Sequence, residues 1–396
     1  MINALSPFSR VSTESEQLKK DAIYLPQKQQ IKNEILIISH SREWLENIDQ
    51  ALNTKENDSN LSASTLAMIS MQQKQVVLAM LGVNSEQAIA KILEDSIGIY
   101  GKRLEQIYGW TNGGVDMFRS SLMVMLKGIQ DGGVKPTRLE DLFQLAILEA
   151  VCNAQEYGLE DWYKSSKEGI SHILESTGSG SHGVHEGYTA EVLAKATATL
   201  YDGMKSQGNI PKDSFLGEIL LTLDSAGGKK ALSDQIINGW NDDTGWWIQP
   251  GVGIRAEEIS PMTRLFILSS LLNKQSMTQE QINLVLTANL AELDKFILIE
   301  FGIEGGKYFS PALEVLVSDP NNQWRMLPDG RLDWLGIGID MDDLTALYKF
   351  YPARELTKEE LEEINRIGDQ IKMIQQTLKY WVQICNDERL AIARNI

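Results

Sequence analysis

Residues 364–385 read INRIGDQIKMIQQTLKYWVQIC, with apolar side chains at Ile364, Ile367, Ile371, Ile374, Leu378, Trp381 and Cys385. The steps alternate three and four, the a/d seam of a helix that meets another helix. Just upstream, Thr357 and Glu360 in ELTKEELEEI stand three apart and predict a capping box at the helix start. The pattern therefore predicts one helix of about 36 residues, roughly 55 Å long. Its partner is sought within this chain, against a helix such as 277–302 or 28–53. Surface left over is offered to another protein or to a second copy. Burying one seam side chain is worth about 1.5–3 kcal/mol, so Ile374→Asp is expected to disrupt the seam.

Working outward, most of the chain reads as helix. QKQQIKNEILIISHSREWLENIDQAL places apolar residues at Ile31, Ile35, Ile38, Leu45, Ile48 and Leu52, with Arg42 interrupting the stripe. Helical patterns recur between breaks at NTKENDSN, GWTNGGVDMF and GSGSHGVHEG. Two stretches differ. GWWIQPGVGI (245–254) reads as a short strand and turn, and Asp329-Gly330 in NNQWRMLPDGRLDWLGIGI marks a hairpin. GVGIRAEEIS (251–260) and GIGIDMDDLT (336–345) suggest a weak internal repeat, a strand feeding a helix. The fold class expected is mainly α: a multi-helix body, a small α+β module and a long C-terminal coiled-coil-type helix. The division expected is 1–27 as a disordered start, 28–177 as a helical domain, 178–187 as a flexible loop, 188–355 as helices with the β module, and 356–396 as the heptad helix.

Composition excludes several classes. The formal charge is −17, with 54 acidic against 37 basic residues, so a nucleic-acid or anionic-membrane surface is not expected. No apolar run approaches the length that spans a bilayer. Cys152 and Cys385, two thiols in 396 residues, make no disulfide framework and read as small buried hydrophobes made in a reducing cytoplasm. The Ser-rich start MINALSPFSRVSTESEQ lacks the basic and apolar regions of a Sec signal and is compatible with a Sec-independent, type III export route.

No catalytic constellation emerges. His182 and His185, with Glu186 beside them, lack the helical H-E-x-x-H geometry of a zinc site. Asp340, Asp342 and Asp343 fail the EF-hand pattern, since Thr345 and Tyr351 stand where Gly and Glu belong; Asp342 or Asp343 is expected as a helix N-cap. The Gly pairs lack the rest of a dinucleotide fingerprint, and Glu300 has no fixed partner. No cofactor, metal or catalytic residue is assigned. Trp240, Trp246, Trp247, Trp324 and Trp334 concentrate in the strand-like part, as core or as an exposed patch.

The order of parts, with RLDWLGIGIDMDDLTALY followed by ELTKEELEEINRIGDQIKMIQQTLKYWVQIC over residues 321–396, resembles type III secretion needle-tip and translocation-filament proteins. The resemblance is architectural and covers only that part. It implies a non-enzymatic exported protein whose C-terminal helix forms an intramolecular coiled coil and drives assembly, with Ile364, Ile367, Ile371, Ile374, Leu378 and Trp381 carrying the interaction. A cytoplasmic partner-binding regulator, gatekeeper or chaperone-like, is the first alternative. A secreted effector or enzyme with a pocket in the Trp-rich module is the second.

Overall fold

The structure, a computed structural model, describes residues 27–54, 63–81, 83, 87–135, 138–180, 189–241, 246–247, 258–306, 310–327, 332–336 and 338–394. The described residues hold fifteen helices and two two-stranded antiparallel pairs. The expected fold class, mainly helical with a small β component and one long C-terminal helix, is what the chain adopts.

The chain divides into two compact units: Met1–Tyr108 with Leu356–Ile396, and Gly109–Glu355. The sequence reading's boundary at 355 coincides with this division, whereas those at 177 and 187 do not, and it had none near 108. Periodicity marks where helices stop, but not which distant helices share a core, and the first unit draws its helices from both parts of the sequence.

In the first unit, α1 (Gln27–Thr54), α2 (Ala63–Met80) and α15 (Lys358–Arg394) form the bundle, with α3 (Gln87–Asn112) contributing up to Tyr108. α15 begins as expected: Thr357 Oγ1 accepts from the Glu360 amide at 3.3 Å, and the Thr357 amide donates back to Glu360 Oε2 at 2.9 Å. The expected pairing with residues 28–53 is found, in α1. Residues 277–302 belong to the other unit.

In the second unit, α5 (Arg138–Cys152) is the hub. Every side chain from Leu139 to Val151 is buried, because α4 (Gly114–Gly132), α6 (Glu160–Ser176), α8 (Phe215–Ser225), α9 (Gly228–Gly239) and α10 (Pro261–Lys274) all pack on it. α7 (Ala190–Gln207), α11 (Gln279–Thr287), α12 (Leu290–Phe301), α13 (Pro311–Ser318) and α14 (Met341–Lys349) complete the shell. β1 (Trp240–Asn241) pairs with β2 (Trp246–Trp247); β2 falls inside the 245–254 stretch expected to hold strand, and β1 precedes it. β3 (Trp324–Met326) pairs with β4 (Leu332–Trp334), as the hairpin reading required, although Asp329-Gly330 lie outside the described residues.

Trp324 and Trp334 meet edge to face at 5.3 Å and both contact Phe266. They are core residues and not an exposed patch. The end of the hairpin is stitched to α6: the Trp334 amide donates to buried Glu175 at 2.8 Å, and Ser171 Oγ donates to the Ile339 carbonyl at 2.7 Å. Gly338 makes that approach possible, since at φ +85° an added Cβ would fall 2.5 Å from Ser171 Oγ. The N-cap of α14 is Asp340, not Asp342 or Asp343. Asp340 keeps an extended backbone and accepts from both of their amides, leaving those two acids in the first turn, where the helix dipole favours them.

Candidate functional site

Two places gather side chains with work to do: the length of α15, and the N-terminal half of α5. In α15 the seam side chains Ile364, Ile367, Ile371, Leu378, Trp381 and Cys385 are buried, while Ile374 is half-buried. Buried residues of α1 answer them at Ile31, Glu34, Ile38, Ser41, Leu45, Ile48 and Leu52, an unbroken three–four alternation. Ser41, not Arg42, occupies the position that looked like a flaw, and Arg42 faces solvent. α15 runs antiparallel to α1, since Glu34 pairs with Arg389 at 2.9 Å while Asp49 meets Gln375 and Lys379 further back.

Polar contacts fix this register. Gln375 donates to the Leu45 carbonyl and to Asp49, and Gln73 of α2 donates to the Ile371 carbonyl and to Gln375 Oε1. A shift of one turn would leave these amides buried without acceptors, at about 1–3 kcal/mol each. Arg103 of α3 forks onto Glu363 at 2.9 and 2.6 Å, which holds that carboxyl below its usual range. The charges after the seam close it as well, because Arg389 also donates to the Val83 carbonyl.

The residues expected to carry assembly are therefore within the chain's own core. Exposed apolar side chains of α15 lie away from that seam, where Met373 is 55% exposed, Tyr380 72% and Ile384 39%. On α3, Ile89, Ile92 and Ile99 are exposed too.

The second place is electrostatic. Glu140 accepts from the Gly178 amide at 2.9 Å, and Asp141 accepts from the Ser179 amide and hydroxyl, both at 2.8 Å. Gln144 donates to the Leu174 and Thr177 carbonyls and accepts from the Met262 amide. Residues 178–180 are thus buried, although the Gly/Ser composition predicted a flexible loop. Gly178, at φ +93°, is required: an added Cβ would lie 2.7 Å from Ser260 Cβ. The remaining loop residues, with His182, His185 and Glu186, lie outside the described residues, as do 251–257 of the supposed repeat.

Arg138 bridges Asp141 (3.0 Å) and Glu258 (2.8 Å), and the fully buried Arg264 shares Glu258 at 3.1 Å. Arg264 also donates to the carbonyls of Ile259, Val285 and Ala288, two of them at the C-terminal end of α11, where a cation is favoured. Burial, and then the neighbouring Arg138, lower the Arg264 pKa to about 10. Burial opposes the Arg138 charge, but Asp141 and Glu258 outweigh it and its pKa lies above the ordinary value. A small cleft borders both guanidinium groups, with Met125, Gly128 and Thr287 on its walls. With Arg138 on two carboxylates and Arg264 on one carboxylate and three carbonyls, the cluster clamps backbone.

Family models, curated proteins and solved structures give no match to this chain.

Further along α5, buried Glu149 accepts from Tyr157 Oη at 2.7 Å and pairs with Arg119 at 3.1 Å. Burial pushes its carboxyl above the usual range, and Arg119 and Tyr157 restrain that rise only in part. Burial, and then Glu149, also raise the Cys152 thiol well above its ordinary value, the opposite of an activated nucleophile. Glu300 is exposed and accepts only from Gln281. Among the described residues no three His, Cys, Asp or Glu side chains stand together as a metal site, and no helix is long and apolar enough to cross a membrane.

Sequence reasoning missed the α5 cluster. RLEDLFQLAILEAVC reads as a helical pattern, which does not by itself say that its acids are buried. The available signal was the Gly-Ser segment 30 to 40 residues on, whose amides need acceptors if it is buried.

Proposed function

We propose that the chain is a non-enzymatic interaction protein of a bacterial secretion system, exported by a type III route and assembling through α15. One observation carries this reading. A 37-residue helix closes its inner seam on α1 and α2 and leaves Met373, Tyr380 and Ile384 exposed along its outer side. The inner residues Ile364, Ile367, Ile371, Ile374, Leu378 and Trp381 then hold the helix rigid, and the outer ones meet the partner. A rigid helix presenting apolar anchors loses little entropy on binding, which suits an assembly surface.

The enzyme reading has less support. The Trp-rich hairpin fills itself with Trp324, Trp334 and Phe266, and Glu140 and Asp141 of α5 are engaged with backbone.

The test is export. Residues 1–30 are fused to a reporter in a strain with an active type III apparatus, and the medium is assayed beside an apparatus-null control. Apparatus-dependent release is the expected result. Retention of both the fusion and the full chain would overturn the exported role and favour a cytoplasmic partner-binding regulator.

A further inference from the structure

We infer that the outer face of α15 receives a cationic amphipathic helix from a different protein. At about 100° per residue, Met373, Tyr380 and Ile384 lie within about 40° of one line along the helix. The spacings of seven and four repeat on the outside the periodicity that α15 uses on the inside, so the complementary shape is a helix.

The charge around that line selects the partner. Glu359, Glu362, Asp369 and Asp387 are exposed within about 40° of it, with Arg366 as the one base among them; at about 60° Glu388, Lys358 and Arg394 join them. Four carboxylates to one guanidinium leave a surplus of three negative charges along the middle of the face, and two across its full width. Lys or Arg flanking the apolar stripe of an incoming helix would meet these acids as e/g residues do in a coiled coil.

A second copy does not fit. Antiparallel pairing that sets Met373 against Ile384 also sets Asp369 against Glu388, and parallel pairing in register stacks each acid on itself. Like charges so placed act as negative selection against the homodimer.

The inference rests on the proposed interaction role but not on the export route. Its probes are three synthetic peptides of about 21 residues, three heptads each: a Leu/Lys amphipathic helix, the same helix with Glu for Lys, and a scramble of the Leu/Lys composition. Each is titrated against the full chain by calorimetry. The Leu/Lys helix is expected to bind and the other two to bind at least about ten-fold more weakly, as loss of the apolar match or reversal of charge requires. Met373→Ser with Tyr380→Ser is expected to abolish that preference with an unchanged circular dichroism spectrum. Phe350→Ser, at an exposed aromatic of the second unit, is expected to leave it intact. Asp369→Lys with Asp387→Lys should weaken the Leu/Lys helix and spare the scramble. Equal binding of helix and scramble overturns the inference, because attraction to an acidic protein then explains everything. So does a sedimenting dimer of the full chain that Met373→Ser and Tyr380→Ser dissolve. A retained reporter with selective peptide binding would sink export alone; a released reporter without selectivity would sink this inference alone.

Discussion

In the first unit, Gln73, Gln375 and Asp49 make a thin polar layer within a largely apolar helix packing. In the second, Glu140, Asp141, Arg138, Arg264 and Glu258 place five charged side chains around one helix end. The layer joins side chains to one another and to carbonyls within the helices, and fixes how helices slide. The cluster joins side chains to the backbone of 177–180 and 259–264 and fixes where non-helical chain passes. Removing one member of the layer leaves a neutral amide unmatched. Removing one member of the cluster leaves a buried charge unmatched, which costs more. The two units should therefore respond differently to single substitutions, and their two transitions are best followed separately.

The largest effect is expected from Asp141→Ala. It strips Arg138 of one carboxylate and Ser179 of two hydrogen bonds, at about 3–5 kcal/mol. Urea unfolding of the full chain measures it, and a loss below about 1 kcal/mol would show that the cluster is dispensable. Next comes Ile371→Ala in the bundle. This side chain is fully buried, and about 2–5 kcal/mol is expected, against about 1 kcal/mol at half-buried Ile374. Equal losses at the two positions would place the seam differently. Ile374→Asp is correspondingly a milder probe than periodicity alone suggested.

A smaller effect separates the units by pH. Glu149 is held above its ordinary range, so its ionisation is disfavoured in the folded state. Its stabilising share is complete below the ordinary Glu pKa and is lost as pH rises through the raised value. Glu363 is held below its range, so its share is present above the ordinary pKa and is lost as pH falls through the lowered one. Glu149→Gln should flatten the first slope and Glu363→Gln the second, the latter worth about 0.5–1 kcal/mol on a partly exposed pair. Both are read from denaturation midpoints across pH 3–8; slopes of the same sign would refute the contrast. The smallest effect is on the outer face, where Met373→Ser with Tyr380→Ser should shift stability by under about 0.5 kcal/mol. A larger loss in a thermal melt would mean that the face is already covered within the chain.

The contrast also explains what could be read beforehand. The α15 seam was legible because its members repeat along one helix, and the capping box because Thr357 and Glu360 are three residues apart. Ser41 was not, since a polar residue enters a seam only when tertiary packing admits it. The Asp141–Ser179 bond joins residues 38 apart, and Arg264 finds carbonyls 21 and 24 residues on. No local period encodes those pairings. The outer stripe of Met373, Tyr380 and Ile384 was in plain view, but it gains meaning only once the other side of the helix is known to be closed.

The first unit draws its last helix from the far side of the second. α1 and α2 leave the ribosome long before α15, with Met80 and Lys358 separated by the whole of Gly109–Glu355. At about 5–20 residues per second, synthesis of the intervening stretch takes roughly 15–55 s. For that time Ile38, Leu45 and Ile48 lack the helix that covers them. Each nascent chain therefore passes through an interval in which its earliest hydrophobic surface is open to a helper protein or to a neighbouring chain.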